Sequence, residues 1–181
     1  MIRWILTAVA LLTTPASTMA QTVTGSIETR LERVEAELAI SNIITNYAGF
    51  FNNRDYNGCA SLFAPDGEYS NANGDYKGQD AIRQMLEKLA GTAAAPNKLD
   101  YQIVSNQRID INGDQATATS RYLIMMRGSD GAPMPSMAGG YRDVFTRLNG
   151  QWKIRRRVAD DIIKPTSEQW QNILTAPKVT K

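Results

Sequence analysis

Tyrosine, arginine, lysine and aspartate must carry any acid–base chemistry in this chain, because it contains no histidine and a single cysteine, Cys59. Without histidine there is no Ser-His-Asp triad, no Cys-His pair, no His-ligated metal motif and no side chain that ordinarily titrates near neutral pH. One cysteine excludes an intramolecular disulfide and a multi-thiolate metal site. No metal and no cofactor is therefore expected. Tyr47 lies on the apolar side of its segment. Its hydroxyl can donate to a carbonyl or a leaving hydroxyl, although a packed core tyrosine has the same pattern. Asp55 follows a helix-breaking Asn52-Asn53-Arg54 and is either a base or a helix cap. Strand alternation puts Leu99, Tyr101 and Ile103 on one face and Lys98, Asp100 and Gln102 on the other, so one set alone can face a site. A lysine beside an apolar pocket loses proton affinity and can shuttle protons, whereas a rim lysine stays solvated. Of Arg155, Arg156 and Arg157, alternation sends the first and third to one side. A buried arginine needs an anionic partner, either Asp143, Asp160 or Asp161 or an anion or phenolate of a ligand.

These residues sit on two kinds of element. Ile27, Leu31, Val34 and Leu38, continued by Ile43, Ile44, Tyr47 and Phe51, predict one long amphipathic helix. Its charged early part packs either on its own domain or on a partner chain. Tyr56 to Phe63 predicts a short second helix, and Gln79 to Ala90 a third with Ile82, Met85, Leu86 and Leu89 on one face. Between them Glu68-Tyr69-Ser70 is a short strand candidate. The period then changes to two. Strands are predicted over Leu99 to Ile111, Gln115 to Arg127, Gly140 to Leu148 and Gln151 to Ile162. Asn112-Gly113-Asp114 and Asn149-Gly150 supply hairpin turns, and a Gly/Pro/Met-rich loop spans Gly128 to Ala138. Three helices followed by a four-stranded antiparallel meander make an α+β fold, with the helices on one face of a curved sheet.

The chain has 181 residues and a formal charge of +2, the length of one domain and no basis for nucleic-acid binding. Arg3, the apolar run from Trp4 to Leu12 and the small residues before Gln21 read as an export leader. The expected organisation is a leader over 1–20, a flexible mature N-terminus over 21–26, one domain over 27–163 and a tail over 164–181 with a short helix around Ser167 to Leu174. A periplasmic or secreted protein is expected, with no membrane segment once the leader is cleaved.

Five segments in this order resemble the SnoaL-like branch of the nuclear-transport-factor-2-like superfamily. They are Ile43 to Ala48, Arg54 to Gly67, Tyr76 to Ile82, Asn106 to Ala118, and Gly139 to Ile154. The resemblance implies a cone-shaped α+β barrel with a deep apolar pocket, often dimeric or trimeric. It implies membership of a group that includes dehydratases, isomerases, cyclases, epoxide hydrolases and cofactor-free aromatic lyases. It places Tyr47 in the pocket and makes Arg157 the recurrent last-strand arginine. The dehydratase branch has an aspartate five residues after the tyrosine and a histidine at the start of the third major strand. This chain has Asn52 and the stretch Asp100-Tyr101-Gln102 there. An amide cannot take a proton, so the familiar base pair is missing.

The expected chemistry is a cofactor-free lyase or isomerase acting on a small apolar, aromatic or cyclic molecule. Water or a small carbonyl fragment would be eliminated. Tyr47, Arg157, Tyr101, Lys98 and Asp55 are the candidate catalytic residues. Phe51, Asn52, Gln102, Tyr122, Met125, Met137 and Tyr141 are the candidate binding residues, with Met134 beside Met137 at the pocket mouth. The rival expectations are a non-catalytic periplasmic binding protein and a structural assembly domain with a filled barrel.

Overall fold

Ser26 accepts a hydrogen bond from the Thr29 amide and so starts the longest helix, α1, Ile27–Asn52. The computed structural model describes residues 26–91, 100–127 and 131–163. The expected leader, the tail and Lys98 lie outside these described residues. The single stripe expected of α1 is two stripes. At 100° per residue Leu38 and Ile40 point about 200° apart. Ala36, Ile40, Ile43, Ile44, Tyr47 and Phe51 pack inward, while Ile27, Leu31, Val34 and Leu38 face solvent. Helix α2, Tyr56–Ser61, is capped by Asp55, whose carboxylate accepts from the Gly58 amide at 2.7 Å. Helix α3, Gln79–Ala90, buries Ile82, Met85 and Leu86.

Six strands form one sheet in the order β2-β1-β6-β5-β4-β3. They are β1 Phe63–Asn71, β2 Gly74–Lys77, β3 Asp100–Asn112, β4 Gln115–Arg127, β5 Pro133–Leu148 and β6 Gln151–Ile163. All neighbours are antiparallel except β1 and β6. The four-stranded meander is thus extended by a hairpin that precedes α3 in sequence. Its edges, β2 and β3, do not pair, so the curved sheet is not closed into a barrel. The second half of the expected Gly128 to Ala138 loop is strand. Residues 133–137 pair with β4 alone among the described residues, since β6 begins pairing at Ala138. A proline lacks the N–H that a central position would need, and is accommodated at such an edge.

One register shift decides which arginine enters the core. Trp152 and Ile154 point inward, and unbroken alternation would then send Arg156 in. Instead Phe145 pairs with Ile154 and Val144 with Arg156, which leaves Arg155 as an extra residue. After it the phase is reversed, so Arg157 is buried and Arg156 exposed. Arg155 fastens the irregularity by reaching the Asp66 carboxylate at 3.0 Å and its carbonyl at 2.8 Å.

Candidate active site

Between α1, α3 and the concave face of the sheet lies a cavity of about 520 Å³. Its floor is made of Tyr47, Tyr69 and Tyr141, with Gln102 beside them. Leu86, Ile124, Met126 and Met137 give apolar walls. Tyr122, Asp161, Asn71 and Ser136 add polar groups, and Arg54 lies against the Phe51 ring.

Beneath the floor Arg157 is fully buried and bound to Asp143 by two hydrogen bonds of 2.7 Å. The two residues are register partners on β6 and β5, so the sheet itself aligns the pair. The guanidinium carbon lies 4.2 Å from the ring centroids of both Tyr47 and Tyr141. Burial works against its charge, but Asp143 more than offsets this and lifts the Arg157 pKa above its ordinary value. Its Nη1 has no hydrogen-bond partner among the described residues.

Burial also sets the ionisation of the phenols. It pushes Tyr47 and Tyr141 well above the ordinary tyrosine range and Tyr69 up to about 12. The Arg157 charge pulls all three the other way. The floor is therefore neutral phenol at physiological pH, but more acidic than burial alone would leave it. The Gln102 amide donates to the Tyr141 hydroxyl at 2.6 Å, so the Tyr141 proton remains to be given to a ligand. Across the cavity the Tyr122 hydroxyl donates to Asp161 at 2.5 Å. Burial and then this bond raise the Tyr122 pKa, because ionising it would place two anions together.

Several expected site residues lie elsewhere. Tyr101 is 58% exposed on the outer sheet face, because β3 turns Gln102 inward and alternation sends its neighbour out. Met125 pairs with Tyr101 on that outer face, and Met126 lines the cavity in its place. Met134 is also outside the lining. Asp55 is a helix cap away from the cavity. Asn52 does not line it either. Its amide is spent on the β3 backbone, accepting from Gln102 N at 2.7 Å and donating to Gln102 O at 2.9 Å. Arg157 acts from below the floor and does not line the cavity. Tyr47, Phe51, Gln102, Tyr122, Met137 and Tyr141 do line it. Sequence reasoning missed Tyr69 and Asp161 as lining residues. The short Glu68-Tyr69-Ser70 segment carried too little periodicity to fix a face, and Asp161 follows the phase reversal at Arg155. Among the described residues no three His, Cys, Asp or Glu side chains come together as a metal site.

A family model described as a SnoaL-like domain matches residues 32–158. Among solved structures the chain is similar to a protein of Novosphingobium aromaticivorans described as nuclear-transport-factor-2-like with a cystatin-like fold. The two share 20% identity over 81% of this chain and 94% of that one, with a TM-score of 0.67. A second protein of that organism bears the provisional name scytalone dehydratase. It is 24% identical over 77% of this chain and 97% of its own, with a TM-score of 0.62. A hexachlorocyclohexane dehydrochlorinase of type 2 matches at 17% identity over 74% and 90%, with a TM-score of 0.63. No curated protein sequence matches the chain.

Proposed function

The chain belongs to the SnoaL-like family, and from the cavity it builds we propose that it is a cofactor-independent lyase or isomerase acting on a small, largely apolar aromatic or cyclic molecule. The observation that carries this reading is the convergence of buried, neutral phenols on one cavity whose walls are largely apolar. Such a site excludes water and offers fixed donors where negative charge develops on a substrate oxygen. Tyr47 and Tyr141 are the donors. Arg157 touches no substrate, but its charge behind both rings makes them better donors than burial alone would allow. Elimination of water or of a small carbonyl fragment suits this arrangement, and the names of two similar structures denote eliminations.

Mass spectrometry of material that co-purifies with the chain would identify the substrate. Replacing one oxyanion donor costs on the order of 100-fold in kcat. Tyr141→Phe and Tyr47→Phe are each expected to lower turnover of that compound by about this factor. Unchanged turnover in both variants overturns the reading. A second reading, a non-catalytic binding protein, is favoured by Asn52, which stands where the family's base is expected and is locked to the β3 backbone. Recovery of the bound compound unaltered after long incubation would select it. We further read the chain as exported, with a mature N-terminus at Gln21, and as a homodimer or homotrimer. Terminal sequencing and sedimentation velocity test these two points.

A further inference from the structure

We propose that Asp161, held by Tyr122, is the proton-accepting group of this cavity, and that its substrate is a small neutral ring compound bearing a C–H made acidic by an adjacent oxygen function. This rests on the catalytic reading of the cavity. Asp161 is the one carboxylate among the described residues that line it. Asp143, a buried aspartate nearby, has both oxygens bound to Arg157 below the floor. The phenols keep their protons, so they serve as donors and not as resting bases. A base is thus absent from the two positions where the family resemblance looks for one and present on the opposite wall.

The fold shows this placement to be built. The phase reversal at Arg155 turns Arg157, Ala159 and Asp161 inward. Asp161 is paired with Gly139 on β5. A Cβ at Gly139 would run into the Tyr122 hydroxyl and the Asp160 carbonyl, so the glycine provides the space in which the Tyr122–Asp161 bond forms. Tyr122 itself packs against Tyr141, with ring centroids 4.8 Å apart and the planes tilted by 36°. The ring that holds the proton acceptor therefore adjoins the ring of a proton donor in one cavity.

The lining selects the substrate's charge. Among the described residues it contains one cation, Arg54, and one anion, Asp161. The two opposite charges balance, and Leu86, Ile124, Met126 and Met137 suit a flat apolar ring. In an elimination of water the ring C–H proton passes to the Asp161 carboxylate. The C–H electron pair becomes the new C=C bond and the C–O bond breaks with its pair on oxygen. A floor phenol protonates the departing hydroxide to water, and the proton on Asp161 then restores that phenol.

The test uses 5-nitrobenzisoxazole, a neutral ring compound that opens when a base removes its one acidic C–H. The ring N–O bond breaks and a coloured nitrophenolate forms. Binding of 2-naphthol by the full chain, followed by its fluorescence, reports occupancy of the cavity independently. The wild-type chain is expected to bind 2-naphthol and to open 5-nitrobenzisoxazole. Asp161→Asn is expected to lower kcat on the order of 100-fold, as loss of a general base does, with 2-naphthol affinity unchanged. Asp161→Glu is expected to restore part of the rate, which guards against a folding defect in the amide. Tyr122→Phe should lower kcat and leave KM in place, because it positions the carboxylate. Asp160→Asn, whose parent residue pairs with Arg142 on the outer face, should change neither. Binding without turnover in the wild type, or turnover that survives Asp161→Asn, overturns the assignment of Asp161. Failure of 2-naphthol to bind overturns the reading of the cavity itself.

Discussion

Arg157 shows how one buried side chain depends on a single partner. A buried cation needs an anion from the protein or from a ligand, and here both bonds go to Asp143 inside the protein. Truncating one member of a buried pair leaves the other charge without compensation, which costs about 3–5 kcal/mol. Arg157→Met is expected to lose about that much in urea unfolding, and the double variant with Asp143→Asn to lose less than the single one. The titrating core residues give a second prediction at this scale. Burial raises the Cys59 thiol to about 12, and it donates to the Tyr47 carbonyl at 3.6 Å. Burial likewise raises Tyr69 to about 12. Both groups are neutral when protonated and both folded-state values lie above the unfolded ones. Their contribution is therefore complete below about pH 9 and is lost as pH rises from there to about 12. Thermal unfolding followed by circular dichroism should show a melting temperature that is flat up to about pH 9 and falls beyond it. A thiol reagent at neutral pH should react with Cys59 after denaturation and not before.

Between elements, the contacts that fix the site are made by residues expected to do chemistry. Asn52 ties the end of α1 to the start of β3 by donating to one Gln102 backbone group and accepting from the other. An ionised aspartate can only accept. Asn52→Asp would therefore set a carboxylate oxygen against the Gln102 carbonyl and is expected to destabilise the chain by about 1–3 kcal/mol. Protonation supplies the missing donor, so this loss should shrink as pH is lowered. Chemical denaturation at two pH values checks both the size and the sign. The β5–β6 pairing offers another case. Gly139→Ala is expected to cost about 1–3 kcal/mol by overpacking and to displace Tyr122, with a fall in 2-naphthol affinity as the second readout.

At the scale of the whole molecule, occupancy of the cavity and stability are linked. A ligand that binds only the folded state adds about 2.7 kcal/mol at 100 times its Kd. Saturating 2-naphthol is therefore expected to raise the melting temperature, and an unchanged value would mean that the cavity is not its site. The order of elements that builds this cavity was legible in the sequence. Its hydrophobic period changes from that of helices to that of strands after Asn97, and Asn-Gly turns separate the long strands. The absence of histidine likewise determined that phenols, arginines and carboxylates form the site. The tertiary structure alone decided which of them meet. Strand alternation has two phases, and local sequence does not choose between them. Pairing with β5 and β1 fixed the irregularity at Arg155 and so turned Arg157 and Asp161 inward. Packing of α1 likewise decided which of its two apolar stripes was buried, because both meet the requirement of an amphipathic helix and one alone meets the sheet. Periodicity is a property of neighbours along the chain, whereas the choice of face is settled by neighbours across it.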